Sequence, residues 1–194
     1  MKRFSDFAYS RSSFLLCIFL TILMVFYAWI VMGSQSECVT GELTEGISLL
    51  GLRFGYSYES ALQLFNLLSS EALTCYAKLL RVWDNIFPFL YGSMYIAWLS
   101  ILYKNVRFRK VRYKLINLFP LLPWLADLVE NYFENALVSQ FILFNSISPG
   151  YVQTASVFTR FKWSLSVINY IVIIFGIALL ILNKRGRKRL KNTD

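Results

Sequence analysis

The sequence predicts an all-α membrane protein: a four-transmembrane-helix bundle with a small helical extracytoplasmic loop. Three observations predict it. Of 194 residues, 57% are hydrophobic and 16% charged, whereas a soluble domain carries about a quarter charged residues. Four stretches approach or reach the roughly 20 apolar residues that cross a bilayer. Lysine and arginine collect in three segments that share one side if all four stretches cross.

The first span, 14–32, is uninterrupted and follows Lys2, Arg3 and Arg11. It is longer than a usual signal-peptide core, and Val31-Met32-Gly33 makes a poor cleavage site, so it reads as a retained span. Residues 33–84 form the external loop. Ser57 is suited to cap a helix starting near Tyr58, with Ala61, Leu64, Phe65 and Leu68 on one face. Ser69 or Ser70 caps a second helix, with Leu73, Ala77 and Leu80 together, which runs on through Val82 toward the second span. Cys38 and Cys75 both lie in this loop, on the oxidising side. A disulfide between them would pin the second loop helix to the end of the first span; the alternative is two unrelated thiols. Cys17 reads as a small packing residue within the first span.

The second span, 86–103, opens with Pro88. A basic loop, 104–114, follows with Lys104, Arg107, Arg109, Lys110, Arg112 and Lys114. The third span, 115–137, contains Asp127, Glu130 and Glu134, each with a nominal insertion cost of about 2.5 kcal/mol or more if ionised and facing lipid. It is kept because its other positions are strongly apolar and because the parity of the basic loops requires it. The fourth, 164–183, is the cleanest and leads into a basic tail, 184–194. The positive-inside rule then places both termini in the cytoplasm of a multi-pass protein, with a bacterial inner membrane as the expected location. The external loop is acidic, with Glu37, Glu42, Glu45, Glu59 and Glu71.

Several functions are excluded or disfavoured. The chain has no histidine, which removes His-based acid–base catalysis and His metal ligation. Three scattered cysteines make no zinc ribbon, CxxC centre or cluster site. No glycine-rich phosphate loop occurs. No cofactor and no metal are expected. The net charge of +9 is explained by topology and contact with membrane lipids, so no nucleic-acid partner is expected.

The third span carries the chemistry. At about 100° per residue, Pro120, Pro123, Trp124, Asp127, Glu130, Asn131 and Glu134 share one sector, which should face protein or water rather than lipid. Pro120 and Pro123 are expected to kink the helix and open space beside Asp127. Asp84, Pro88, Tyr91, Tyr95 and Trp98 share a face of the second span; Thr159, Lys162, Trp163, Ser166 and Tyr170 share one at the fourth. Arg160 and Lys162 are expected to form an ion-pair cluster with Glu134 and Asp84. Asp127, deeper, has no evident basic partner, and its expected hydrogen-bond partners are Glu130, Tyr95 or a ligand. Buried polar residues also serve as interhelical glue, but three acids and Asn131 on one stripe exceed what packing needs.

Four short motifs carry a resemblance: Gly55-Tyr56-Ser57; Asp84-x-x-Phe87-Pro88-x-x-Tyr91; Leu121-Leu122-Pro123 followed by Asp127-x-x-Glu130-Asn131; and Thr159-x-x-Lys162-Trp163. Together, over about 51–163, the chain resembles a family of uncharacterised four-span bacterial membrane proteins with a D-x-x-E-N motif in the third span. The resemblance implies a fold and no reaction. In architecture alone the chain is also similar to the four-span sterol isomerase superfamily, which buries acids in a bundle cavity.

Three functions fit. The first is a binding protein whose cavity between spans two, three and four takes a lipid-like or cationic ligand. Asp127, Glu130, Asn131, Glu134, Asp84, Tyr91, Tyr95, Trp124, Lys162 and Trp163 are its candidate binding residues, with Trp98 and Tyr170 on the walls. The second is a lipid- or isoprenoid-modifying enzyme using Asp84, Asp127 and Glu130 for acid–base chemistry. The third is an accessory subunit whose polar stripe meets a membrane-protein partner.

Overall fold

A computed structural model describes residues 1–104 and 115–191, with side chains as far as 181. Most of the basic loop and the side chains of the basic tail lie outside these described residues. The protein is all-α, with six helices and no strand among the described residues: α1 (Lys2–Arg11), α2 (Phe14–Thr40), α3 (Tyr58–Leu67), α4 (Ser70–Lys104), α5 (Leu121–Phe144) and α6 (Pro149–Lys191).

Three of them, α2, α4 and the Pro149–Ile181 part of α6, are long and apolar enough to cross a membrane. The third expected span, 115–137, corresponds to α5. It has the length, but Asp127, Glu130 and Glu134 interrupt its apolar window. The expected boundaries also change. Helix α2 runs past residue 32 to Thr40 and α6 begins at Pro149 rather than 164, while α4 runs unbroken from Ser70 through Val82 into the second expected span, as the loop helix is expected to do. The physical reason is that a helix ends where its caps are, not where its hydrophobicity ends.

Those caps are local. Ser13 accepts the Leu16 N–H at 3.2 Å to start α2. Ser57 accepts from Ser60, and Ser69 from Ala72, each at 3.2 Å, to start α3 and α4. Glu42 reinforces the last of these, accepting from the Ser69 hydroxyl at 2.6 Å and its N–H at 2.7 Å. These two bonds hold the Glu42 carboxyl below its usual range. Proline at the first position starts α6. Asn145 ends α5 in the left-handed conformation (φ 51°), its N–H bonding to the Phe141 carbonyl at 2.9 Å.

Pro120 and Pro123 do not kink α5. The chain passes through a short turn, Ile116–Leu118, and the helix begins at Leu121, so Pro120 caps it and Pro123 falls in its first turn. There the missing N–H would have had no partner anyway. Two wide π-helical turns, Tyr27–Met32 in α2 and Leu79–Trp83 in α4, lie side by side, joined by the Tyr27 hydroxyl donating to the Trp83 carbonyl at 2.8 Å.

Helix α2 packs along α4, and α5 along α6. The outer core joins Val39, Leu50, Leu64, Phe65, Tyr76, Leu137 and Val152, so the loop helices are buried into the tops of the spans. The Cys38–Cys75 disulfide fastens α2 to α4 at that end, with 6.5 Å between the α-carbons. Cys17 is free and buried. At the other end, Ser5 of α1 donates to Asn117 at 2.7 Å, and the Asn117 amide donates to Ser100 at 2.9 Å. That knot ties α1 beneath the bundle. Large apolar side chains on α2 (Leu15, Phe19, Ile22, Trp29) and α6 (Ile171, Ile174, Phe175) face outward, as a lipid-facing surface requires.

Candidate functional site

The acids of α5 sit at i, i+3 and i+7, one face of a helix. That face is turned inward. Asp127, Glu130, Asn131 and Glu134 are at most 3% exposed. Burying carboxylates is costly unless each is paired or hydrogen-bonded, and the neighbouring elements supply those partners.

Lys162 of α6 is central. Its ammonium lies 2.7 Å from Glu130 Oε2 and 3.3 Å from Asp127 Oδ1, and donates to the Gly51 carbonyl at 3.1 Å. The ammonium is thus paired with two carboxylates and hydrogen-bonded to one carbonyl. Asp127 therefore has a basic partner after all, and its hydrogen-bond donor is Tyr91, at 2.9 Å, rather than Glu130 or Tyr95. Lys162 lies more than three turns inside α6, and its long stem carries the ammonium from that helix to the acids of α5. Arg160 does not join the cluster; it is exposed and lies beside Gly55. Only α6 residues facing α5 can reach the acids, and Arg160 is two residues round the helix from Lys162.

Glu130 accepts from Thr159 at 3.0 Å. Glu134 accepts from Tyr56 at 3.0 Å and Tyr76 at 3.3 Å. Burial, and then the Glu134 carboxylate, push the Tyr56 phenol far above its ordinary range, so it remains a donor. Above the cluster lies the turn Leu50–Leu52. Its Gly51 carbonyl also accepts from the Trp163 indole at 3.2 Å. A β-carbon at Gly51 would stand 3.1 Å from Glu130 Oε1, so any side chain there would push that carboxylate back by a few tenths of an ångström.

Asn131 does a different job. Pro88 has no N–H, which leaves the Asp84 carbonyl of α4 without its helical donor. The Asn131 amide donates to that carbonyl at 3.2 Å. Asn131→Ala should therefore destabilise by about 1–3 kcal/mol, the cost of an orphaned buried acceptor. In a Pro88→Ala background, where residue 88 supplies the N–H, the same change should cost under half as much. Equal costs in thermal unfolding of the two backgrounds would refute the pairing.

Below Gly51 a cavity of about 400 Å³ opens between α2 and α6, floored by α4 and α5. Asp84, Tyr91, Tyr95, Asp127, Glu134, Lys162 and Trp163 line it. Glu130 and Asn131 stand behind that wall. Trp124 lies away from it, against Phe89 with ring centroids 4.9 Å apart, because the small Gly92 leaves room for it there. Trp98 also turns away, donating to Thr21 at 3.0 Å.

Among the described residues, nothing hydrogen-bonds or pairs with the Asp84 carboxylate, although its backbone carbonyl is satisfied. Of the four carboxyl groups here, two pair with the Lys162 ammonium, Glu134 takes tyrosine donors, and Asp84 has neither. Among the described residues no group of three or more acids or cysteines is placed to hold a metal ion.

Sequence reasoning missed Gly51, Tyr56 and Tyr76 as elements of the cluster. It also missed the α2 wall of the cavity, Met24, Ala28, Met32 and Ser36. Those four recur at i+4 and are small or flexible in a helix otherwise rich in Leu, Ile, Phe and Trp, which was the available signal. No family model, curated protein or solved structure matches the chain.

Proposed function

We propose that the protein is a membrane-embedded binding protein whose acidic and aromatic cavity takes a lipid-like or cationic small molecule. The observation that carries this reading is the roughly 400 Å³ cavity with an unpaired carboxylate, Asp84, on its wall. Pockets of a few hundred Å³ with apolar walls and few polar groups are what small ligands occupy.

The proposal includes four spans, α5 being the third along the chain, with both termini in the cytoplasm of a bacterial inner membrane. It also includes membership of the four-span bacterial family with the D-x-x-E-N run. The Cys38–Cys75 bond supports the orientation, since disulfides persist on the oxidising side. The burial of the α5 acids supports α5 as a span, because polar groups there face protein. It also speaks against the accessory-subunit reading, which needs that stripe on the outside.

A lipid- or isoprenoid-modifying enzyme is the second reading. The favouring observation is again Asp84, the cavity-lining carboxyl with no partner to hold its proton in place.

The test is native mass spectrometry of protein released from native-lipid nanodiscs, wild type against Ala28→Phe. Ala28 lines the cavity from α2, whereas the acids and their tyrosine, threonine and lysine partners stand on other elements, so the larger ring is placed to fill the space from the opposite wall. A bound small molecule in the wild type that falls at least fivefold in the variant is expected. Equal retention in both, or no bound molecule in the wild type, overturns the reading.

A further inference from the structure

The cavity is not uniform along its length. At its outer end it meets the Gly51 turn, Asp84, Glu134 and the Lys162–Trp163 pair. Further in along α4, at Phe87, Tyr91 and Tyr95, it is aromatic, with Met24 of α2 opposite. Tyr95 and Tyr170 close the inner end edge to face, with centroids 5.4 Å apart. Asp84, Phe87, Tyr91 and Tyr95 fall at i, i+3, i+7 and i+11, so they form one continuous wall of α4.

Charge selects what fits the outer end. The ammonium of Lys162 already pairs with Asp127 and Glu130 and donates to the Gly51 carbonyl, so an anionic head would compete with two carboxylates for it. The Asp84 carboxylate is unpaired, and the cluster holds more acid than base. A cationic head would offset that excess, whereas an anionic head would add to it. The single slot and its modest volume fit one alkyl chain rather than two.

From this juxtaposition we propose that the cavity binds a single-chain ammonium amphiphile lengthwise, its head on Asp84 and its tail against Phe87, Tyr91 and Tyr95, with the Tyr95–Tyr170 pair as the floor that sets tail length. The proposal rests on the binding reading above and names the ligand class for the same site. The distance from Asp84 to Tyr95 along the helix is roughly 16 Å at 1.5 Å per residue, room for about a dozen extended methylenes.

The experiment uses the full chain in nanodiscs and alkyltrimethylammonium probes of 8 to 16 carbons, below their micellar concentrations. Alkyl alcohols and fatty acids of the same lengths serve as comparison, and bound probe is counted by native mass spectrometry. The expected result is binding of one probe per chain, tightest near twelve carbons and at least tenfold tighter for the ammonium than for the alcohol or acid. Asp84→Asn should remove that head preference with no change in melting temperature, since the carboxylate holds no partner. Tyr95→Trp should shift the optimum to shorter tails and Tyr95→Ala to longer ones.

Binding that is blocked by Ala28→Phe but indifferent to head charge overturns the ammonium assignment and leaves the cavity as a binding site. A preference for the ammonium that survives Asp84→Asn also overturns it. No probe of any head class bound in the cavity overturns both this proposal and the function it rests on.

Discussion

Replacing Lys162 with methionine should be the most destabilising single change in the chain, by about 3–5 kcal/mol. The substitution keeps the stem's volume and removes the charge. It strands Asp127 and Glu130, both buried, and removes one of the two donors to the Gly51 carbonyl in the turn over the cluster. Most of this cost comes from leaving the acids unpaired, not from the worth of the ion pair itself. The double variant Lys162→Met/Glu130→Gln should therefore be more stable than Lys162→Met alone, because a neutral amide needs no counter-charge. Thermal unfolding of the three proteins in one detergent measures the cycle. A loss under 1 kcal/mol for Lys162→Met, or no recovery in the double variant, would show that the acids do not depend on this ammonium.

Breaking the Cys38–Cys75 bond should cost about 2–4 kcal/mol, the usual range for a structural disulfide closing a loop of this size. The loop contains the Gly51 turn and Tyr56, and Tyr76 follows directly on Cys75, so freeing it loosens the donors to Glu134 as well as the chain. Cys38→Ser, Cys75→Ser and the double variant should melt at one common temperature below that of the wild type. Adding a reductant should bring the wild type down to the same value. If reductant leaves the wild type's melting temperature unchanged, the bond contributes nothing to stability.

Much of the architecture was legible in local signals. Ser57 and Ser69 announce their helices because a side-chain cap is a property of four neighbouring residues. The acidic stripe of α5 is equally readable, since 100° per residue fixes which side chains share a face. What escaped was whatever depends on a distant partner. Pro120 and Pro123 signal a disturbance in the helix; only the turn at Ile116–Leu118 decides that they begin it. Asp127 looked unpaired because Lys162 stands on another helix that begins well before the expected span, and its reach depends on a flexible stem. Trp124 lies on the expected sector yet packs on Gly92 and Phe89, since the space available across a helix pair is set by the opposite side chain. Gly51 carries no pattern at all, because its role is to be small at one point where a backbone passes over acids.

The continuous course of α4 has a mechanical consequence. Its 35 residues span roughly 52 Å at 1.5 Å each, against a hydrocarbon core of about 30 Å. Crossing a bilayer in the proposed topology, the helix would stand well clear of it, with Cys75 and Tyr76 on the projecting part and Tyr91 and Tyr95 on the immersed part. A tilt of the immersed stretch would swing the projecting one as a lever, carrying the disulfide-tethered cap with it.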